Sequence, residues 1–288
     1  MGFTSIDELI SETSNGKFWR TDWNKIVGGV TLTAGRWYDM SPLNGTPIAN
    51  AWTGTSLTFQ NTNSASTFSM YHGGNVTPDT KHVLNGAVVT AAATGVPAVL
   101  MLVDMQGYYP GINMNVNTSQ TLTGTPTLRY TNGVGVRAYL VNTVASGATA
   151  HNLSMTYTDD AGNTGKSLPV TVSCTASAIV THINHSGTAA NNYGPFLPLA
   201  AGDTGIRSVQ SVQLSASSGA GTAALVLARP ILTVPITTLG VAGERDFINQ
   251  IPSLPQIKDD ACLTWLYFTG AATVASTNFY GSLEFGWS

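Results

Sequence analysis

From Val30 onward the chain is a succession of short apolar runs broken by Gly, Asn, Pro and Asp, with helical periodicity absent over most of that length. A chain of 288 residues with this texture can bury its apolar side chains only by stacking or curling sheets. Strands are expected over residues 56–59, 67–71, 98–105, 135–140, 152–158, 168–173, 208–216, 223–227, 263–268 and 279–285. The clearest hairpin is HNLSMTYTDDAGNTGKSLPVTV, residues 151–172. There Leu153, Met155 and Tyr157 alternate with polar residues, Asp-Asp-Ala-Gly-Asn turns the chain, and Leu168, Val170 and Val172 alternate back. The expected fold class is all-β, with jelly-roll or related β-sandwich lobes, two in tandem, and one short N-terminal helix.

That helix is read over residues 5–15, where Ser5 and Glu8 match a capping box and Asp7 and Glu8 occupy the first turn. Ile6, Leu9 and Ile10 give it a narrow apolar stripe, and a helix this short must dock its stripe on something. The FWRTDWNK stretch follows, placing Phe18, Trp19 and Trp23 where they either plug one end of a β-lobe or meet a partner. The expected organisation is a helix and aromatic arm over 1–29, a first lobe over 30–175 and a second over 176–288. A change in texture near 174–190 marks the boundary. Two similar apolar stretches, GVPAVLMLVDMQGYYPG at 95–111 and GTAALVLARPILTVPI at 221–236, hint at related lobes.

Hydrophobic residues make up 43% of the chain, which excludes intrinsic disorder. Charged residues make up only 9%, against about 25% in ordinary soluble domains. The polar surface must therefore be built from Thr, Ser, Asn and Gly, which repels copies of itself weakly and loses little side-chain entropy when covered. Such a surface suits permanent assembly, and homo-oligomerisation is expected. The 12 basic residues are scattered and the net charge is −3, so a phosphate-binding stripe is missing and no nucleic-acid partner is expected. Cys174 and Cys262 do not make a disulfide framework and are read as free thiols, with a single bridge between them the alternative. The acidic MGFTSIDELISE start lacks a basic n-region, and no apolar run reaches the length of a membrane helix, so synthesis in the cytoplasm and no membrane partner are expected.

Catalytic patterns are sparse. His182 and His185 in HINH have a spacing that points two strand side chains to opposite faces, so no metal is expected there. His72, His82 and His151 flank turns and are read as hydrogen-bonding to backbone. NGVGVR, residues 132–137, lacks the strand-then-helix context of a dinucleotide loop and reads as a tight turn. Among the acids, Asp104 stands out because it ends an apolar strand, and Glu244-Arg245-Asp246 forms a local charge cluster. The remaining acids sit in turn contexts such as TDDAGN. No catalytic residues and no cofactor are assigned, and the chain is expected not to be an enzyme.

Seven segments resemble a group of virion structural proteins of tailed bacteriophages: GFTSIDELI, FWRTDWNK, AGRWYD, YHGGNVTPDTKHVLN, GVPAVLMLVDMQGYYPGI, YGPFLPLAAGDTGIRSVQSV and GERDFINQIPSLPQIKDDACLTWLYFTGAAT. The resemblance implies a virion location and a decoration or cement role on the capsid. It implies the major capsid protein or neighbouring virion proteins as partners, a trimer as the favoured oligomer because accessory proteins on icosahedral shells often sit on threefold positions, and no active-site residues. Ile6, Leu9, Ile10, Phe18, Trp19 and Trp23 are the expected partner-binding residues. Two other readings compete: a tail or fibre component that binds a host receptor or glycan, for which Trp37, Tyr38, Trp52, Tyr108 and Tyr109 are the candidate aromatics, and a carbohydrate-active enzyme.

Overall fold

The computed structural model describes residues 2–90, 95–175, 179–186, 194–249 and 254–288. The boundary expected near 174–190 falls partly outside these residues. Among them the chain is nearly all β, with one α-helix, α1 (Ile6–Ser14), and a single 3-10 turn at Thr131–Gly133. In chain order the first strands are β1 (Phe18–Ile26), β2 (Arg36–Asp39), β3 (Asn44–Thr46), β4 (Gln60–Asn61), β5 (Lys81–Thr90), β6 (Ala98–Asn113) and β7 (Gln120–Thr121). They are followed by β8 (Arg137–Val144), β9 (His151–Asp159), β10 (Lys166–Ser167), β11 (Val172–Cys174) and β12 (Ile206–Leu214). The last are β13 (Thr222–Ile236), β14 (Gly243–Asp246), β15 (Gln256–Ile257), β16 (Leu263–Thr269) and β17 (Asn278–Trp287).

Three sheets result. A terminal sheet runs β14-β5-β17-β1-β3, with β15 also on β5. A small sheet runs β10-β9-β12-β7, with β11 also on β9. A central sheet runs β2-β16-β6-β13-β8, with β4 also on β6. All three draw strands from both sides of residue 175. The two apolar stretches that looked like counterparts are β6 and β13, and they pair with each other antiparallel, from Ala98 opposite Ile236 to Asn113 opposite Thr222.

The central sheet organises the core. One of its faces meets the terminal sheet at one end, burying Trp23, Leu100, Val234, Trp265, Leu283 and Phe285. The same face meets the small sheet at the other end, burying Tyr109, Leu140, Leu153, Tyr157, Val212 and Leu225. β6 and β13 can serve both ends because register shifts between Leu227 and Ala228 and between Pro230 and Leu232 reset the alternation. Without them, period-two alternation would turn Leu232, Val234 and Ile236 to the wrong face.

The opposite face of the central sheet curls around a third core that includes Val103, Met105, Tyr139, Val141, Ile183, Val226 and Leu266. Residues 181–186 close this curl by bonding to both edge strands. Toward β2, Asp39 N–H donates to Thr181 O (2.8 Å) and Ile183 N–H to Trp37 O (3.0 Å). Toward β8, Asn142 N–H donates to His182 O (3.0 Å), Thr181 N–H to Asn142 O (2.9 Å) and Asn184 N–H to Leu140 O (2.8 Å). The sheet thus becomes a ring with neither edge left open. Inside it the fully buried Asp39 carboxyl accepts from Ser41 N–H and the Tyr139 hydroxyl, both at 2.7 Å, and burial raises its pKa.

Candidate attachment surface

Helix α1 forms for the reasons its sequence gives, with one change of partner. Ser5 Oγ accepts from Glu8 N–H at 3.0 Å. The reciprocal bond comes from Thr4, one position earlier than expected: its N–H (2.7 Å) and hydroxyl (2.5 Å) both donate to Glu8, holding that carboxylate below its usual range. The helix closes at Asn15 and Gly16, the latter at φ 88°. Lys17 then bridges Glu12 and Asp79, each at 2.9 Å.

The structure divides the six expected partner-binding residues. Leu9 turns inward and is buried at 7% exposure, whereas Ile6 and Ile10 are 61% and 58% exposed. Residues 18–26, expected to belong to an arm, are β1, an inner strand of the terminal sheet paired to β17 along its whole length and to β3 at its end. Trp23 is only 3% exposed and packs on Trp265 inside the core, so its surface is spent within the chain. Phe18 and Trp19 keep 38% and 40% of their surface in solvent.

Trp19 has a neighbour the sequence did not announce. Its ring meets Tyr71 edge-on at 5.1 Å, and Tyr71 is 51% exposed. The Trp19 indole donates to Thr21 Oγ1 at 2.9 Å, and the Thr21 hydroxyl donates to the Tyr71 carbonyl. Gly73, at φ 90°, lies close against Trp19, and a side chain there would be strained by the backbone and tight against the ring, which favours glycine in this loop. Tyr280 of β17, 46% exposed, is a further outward aromatic. Alternation in Phe279-Tyr280 was the available signal for it, whereas Tyr71 lies in a loop without periodicity. The aromatics picked from sequence as glycan candidates are elsewhere: Tyr38, Tyr108 and Tyr109 are buried, and Trp37 and Trp52 pack against the third core.

Between α1 and the body lies a cavity of about 430 Å³, walled by Phe3, Ile6, Leu9, His82, Phe247 and Ile248 among others. His82 Nδ1 bonds the Leu254 carbonyl at 3.1 Å. The other turn-flanking histidines also meet backbone: His72 Nε2 at Ala261 O (3.1 Å) and His151 Nδ1 at Thr149 O (3.2 Å). His182 and His185 are both fully buried, and His185 Nε2 bonds Pro195 O at 3.2 Å. Burial pushes His72 and His185 down to about 4 and His182 to about 3.

The acids singled out in the sequence have structural partners. Asp104 is fully buried and receives Arg129 through Nη2 (2.5 Å) and Nε (3.1 Å), and Cys262 N–H (2.9 Å). Glu244 accepts from Asn85 Nδ2 at 2.8 Å, and Asp246 caps the Ile248 and Asn249 amides. Asn132 and Gly133 make a left-handed turn at φ 57° and 74°. Cys174 and Cys262 are buried free thiols, both raised by desolvation, Cys262 to about 12. Among the described residues no group of three or more His, Cys, Asp or Glu side chains is arranged to hold a metal, and no helix is long and apolar enough to cross a membrane.

No protein-family model and no curated protein matches the chain. Among solved structures, it is similar to the infectious bursal disease virus VP2 subviral particle at 10% identity and a TM-score of 0.21. That match covers 94% of this chain and 81% of the other. The Gx strain of the same virus aligns over the same shares at 9% identity and a TM-score of 0.19. The likeness is to a viral capsid protein, is weak, and carries no argument about role.

Proposed function

We propose that the chain is a non-catalytic structural component of a tailed-phage virion, a capsid-associated decoration or cement protein that stabilises the head through non-covalent contacts. The observation that carries this reading is the set of large apolar side chains left outward on and beside the terminal sheet, Ile6, Ile10, Phe18 and Trp19, on a chain with only 9% charged residues. Aromatic side chains at a contact supply much of its energy, and a surface short of Lys and Glu is covered at small entropic cost. The resemblance of its segments to tailed-phage virion proteins supports the particle location. Asp104, Glu244 and Asp246 each satisfy a neighbouring group, which supports a role without turnover.

Quantifying the protein against the major capsid protein in purified virions tests the reading. Copies numbering a large fraction of the shell subunits are expected, and a handful per particle would move the protein to the tail. Turnover of bacterial polysaccharides that disappears in Asp104→Ala or Glu244→Ala would end the non-catalytic reading. A second reading, a tail component binding a glycan, is favoured by the exposed Trp19–Tyr71 pair, since edge-paired rings with free faces can stack on sugar. Glycan-array binding lost in Tyr71→Ala would establish it.

A further inference from the structure

The central sheet closes on itself, whereas the terminal sheet keeps an open edge at each end. Trp287 N–H donates to Lys17 O at 3.3 Å and Val27 N–H to Thr277 O at 2.8 Å, both in the register that pairs β1 with β17. Along an antiparallel strand the backbone groups of successive residues point to alternate sides. The odd-numbered residues of β1 therefore bond to β17, and the even-numbered ones point away from it. Asn24 and Ile26 meet β3 on that side. Phe18, Arg20 and Asp22 do not: among the described residues their N–H and C=O groups have no backbone partner. At the far end of the sheet Phe247 N–H donates to Leu84 O at 3.0 Å, continuing the register of β14 on β5. Gly243 and Arg245 thus bond to β5, and the backbone groups of Glu244 and Asp246 turn outward, again without a backbone partner among the described residues.

An open edge is a template for another strand, and these two edges fit each other. Every pairing across β14-β5-β17-β1 is antiparallel, so β14 and β1 run in opposite directions. A neighbouring copy set with its β14 beside β1 continues the antiparallel order and keeps the outer face outward. Because even-numbered residues face the gap from both sides, the register can change only in steps of two. With Arg20 opposite Glu244 of the neighbouring copy, Asp22 meets Ala242 and Phe18 meets Asp246. Sliding one step sets Asp22 against Glu244, a like-charge pair, and sliding the other way leaves Arg20 against Ala242. Asp22 and Glu284 already touch Arg20, so the new ion pair fixes register while the backbone bonds hold the strands. Glu244 is exposed and bonds Asn85 through Oε1, which leaves Oε2 for the neighbouring copy. The strand also stops in time, since the place opposite Asn24 belongs to Thr46 of β3.

Pairing β1 with a second β1 fits worse. The register that sets Arg20 against Asp22 puts Phe18 where Thr46 lies opposite Asn24, and the next one sets Arg20 against Arg20. We propose that the β1 edge of one copy pairs with the β14 edge of the next, head to tail, with Arg20 opposite Glu244. The contact is heterologous, so copies joined by it close into a ring, as a trimer requires. It joins copies of the chain to one another whatever surface they sit on, and copy number in virions tests the capsid reading separately.

The test uses the full purified chain at micromolar concentration. Arg20→Cys and Glu244→Cys on one chain set two thiols across the pair, with Cα atoms about 5.5 Å apart, within reach of a disulfide. Mild oxidation should give covalent multimers that end at the closed ring, while either cysteine alone should give none. Cys174 and Cys262 are buried and stay out of the reaction. In sedimentation, Arg20→Glu and Glu244→Arg should each weaken association about tenfold, and both exchanges on one chain should restore it. If a charge reversal fails to fold, the cysteine pair decides. A wild-type chain that stays monomeric on concentration, a cross-link from Arg20→Cys alone, which marks a two-fold β1–β1 contact, or association unchanged by both reversals would each overturn the proposal.

Discussion

Trp19 and Trp23 lie four positions apart on one strand and alternate onto the same side of it, yet only Trp23 reaches the core; Trp19 sits past its end, against Tyr71. Their substitutions should separate cleanly. Trp23→Ala is expected to cost about 3–5 kcal/mol in chemical denaturation, while Trp19→Ala forfeits little beyond its ring contact, no more than about 1.5 kcal/mol. Equal losses would remove Trp19 from the attachment surface. Asp104→Asn leaves Arg129 without its charge partner in the interior and is expected to cost about 3–5 kcal/mol. The buried histidines set the response to acid. His72, His182 and His185 titrate near 6.5 when unfolded but stay neutral in the fold down to about 4, 3 and 4. The unfolded chain therefore takes up these protons first, so the stability is complete above pH 6.5 and is lost as pH falls from 6.5 toward 4. By pH 5 the loss is roughly 2 kcal/mol for each imidazole. Asp39, raised by burial, works in the opposite direction but is one group against these three and against His82 and His151, which burial also lowers. The urea midpoint should drop between pH 7 and pH 5, and a flat midpoint there would refute the assignment.

Deleting residues 2–14 removes α1, whose one buried residue is Leu9. The isolated protein should lose no more than about 3 kcal/mol, the worth of one buried leucine, while its occupancy on particles falls. Normal occupancy after deletion would detach α1 from the proposed role. The helix was legible in the sequence because capping is local, and the outgoing arm and turn of the 151–172 hairpin because alternation and turn chemistry agree. The return arm, expected over 168–173, is strand only at Lys166–Ser167, opposite Tyr157 and Thr156, and at Val172–Cys174, opposite Leu153 to His151, since Pro169 interrupts it and Val170 faces solvent. β6 was read at half its length and β13 at about a third. Asp104, Gly107, Pro110, Pro230 and Pro235 look like strand breakers, but Arg129 neutralises the first, and Gly107 and Pro230 fall at register shifts where an irregular backbone is tolerated. Stretch 67–71, expected as a strand, contributes only the bridge from Met70 to Leu263, since the chain turns over Asn63–Ser66 and Ser66–Ser69 just before it. The C-terminal FYGSLEFGWS is strongly apolar. It is β17, whose Phe279, Leu283 and Phe285 fill the core, so an apolar strand alone does not distinguish interior from interface.

For the whole molecule, self-association is the expectation that follows from a low-charge surface with Ile6, Ile10, Phe18 and Tyr280 outward. Light scattering at micromolar concentration should give a closed oligomer, a trimer, and a monomer that persists on concentration would count against it. The order of the terminal sheet carries a different consequence. β17, the last strand, lies between β5 and β1, two of the earliest, and neither of those pairs with the other. A nascent chain emerging from the ribosome thus holds two strands whose shared neighbour has not been made, and the first core can form only after synthesis reaches β17. With almost the entire chain looped between partners, closure is entropically slow. Refolding is expected on the millisecond-to-second scale of non-local β proteins. A chain truncated before Asn278 should fail to bury Trp23 and be cleared or aggregate, which makes the arrival of β17 the checkpoint for closing this sheet.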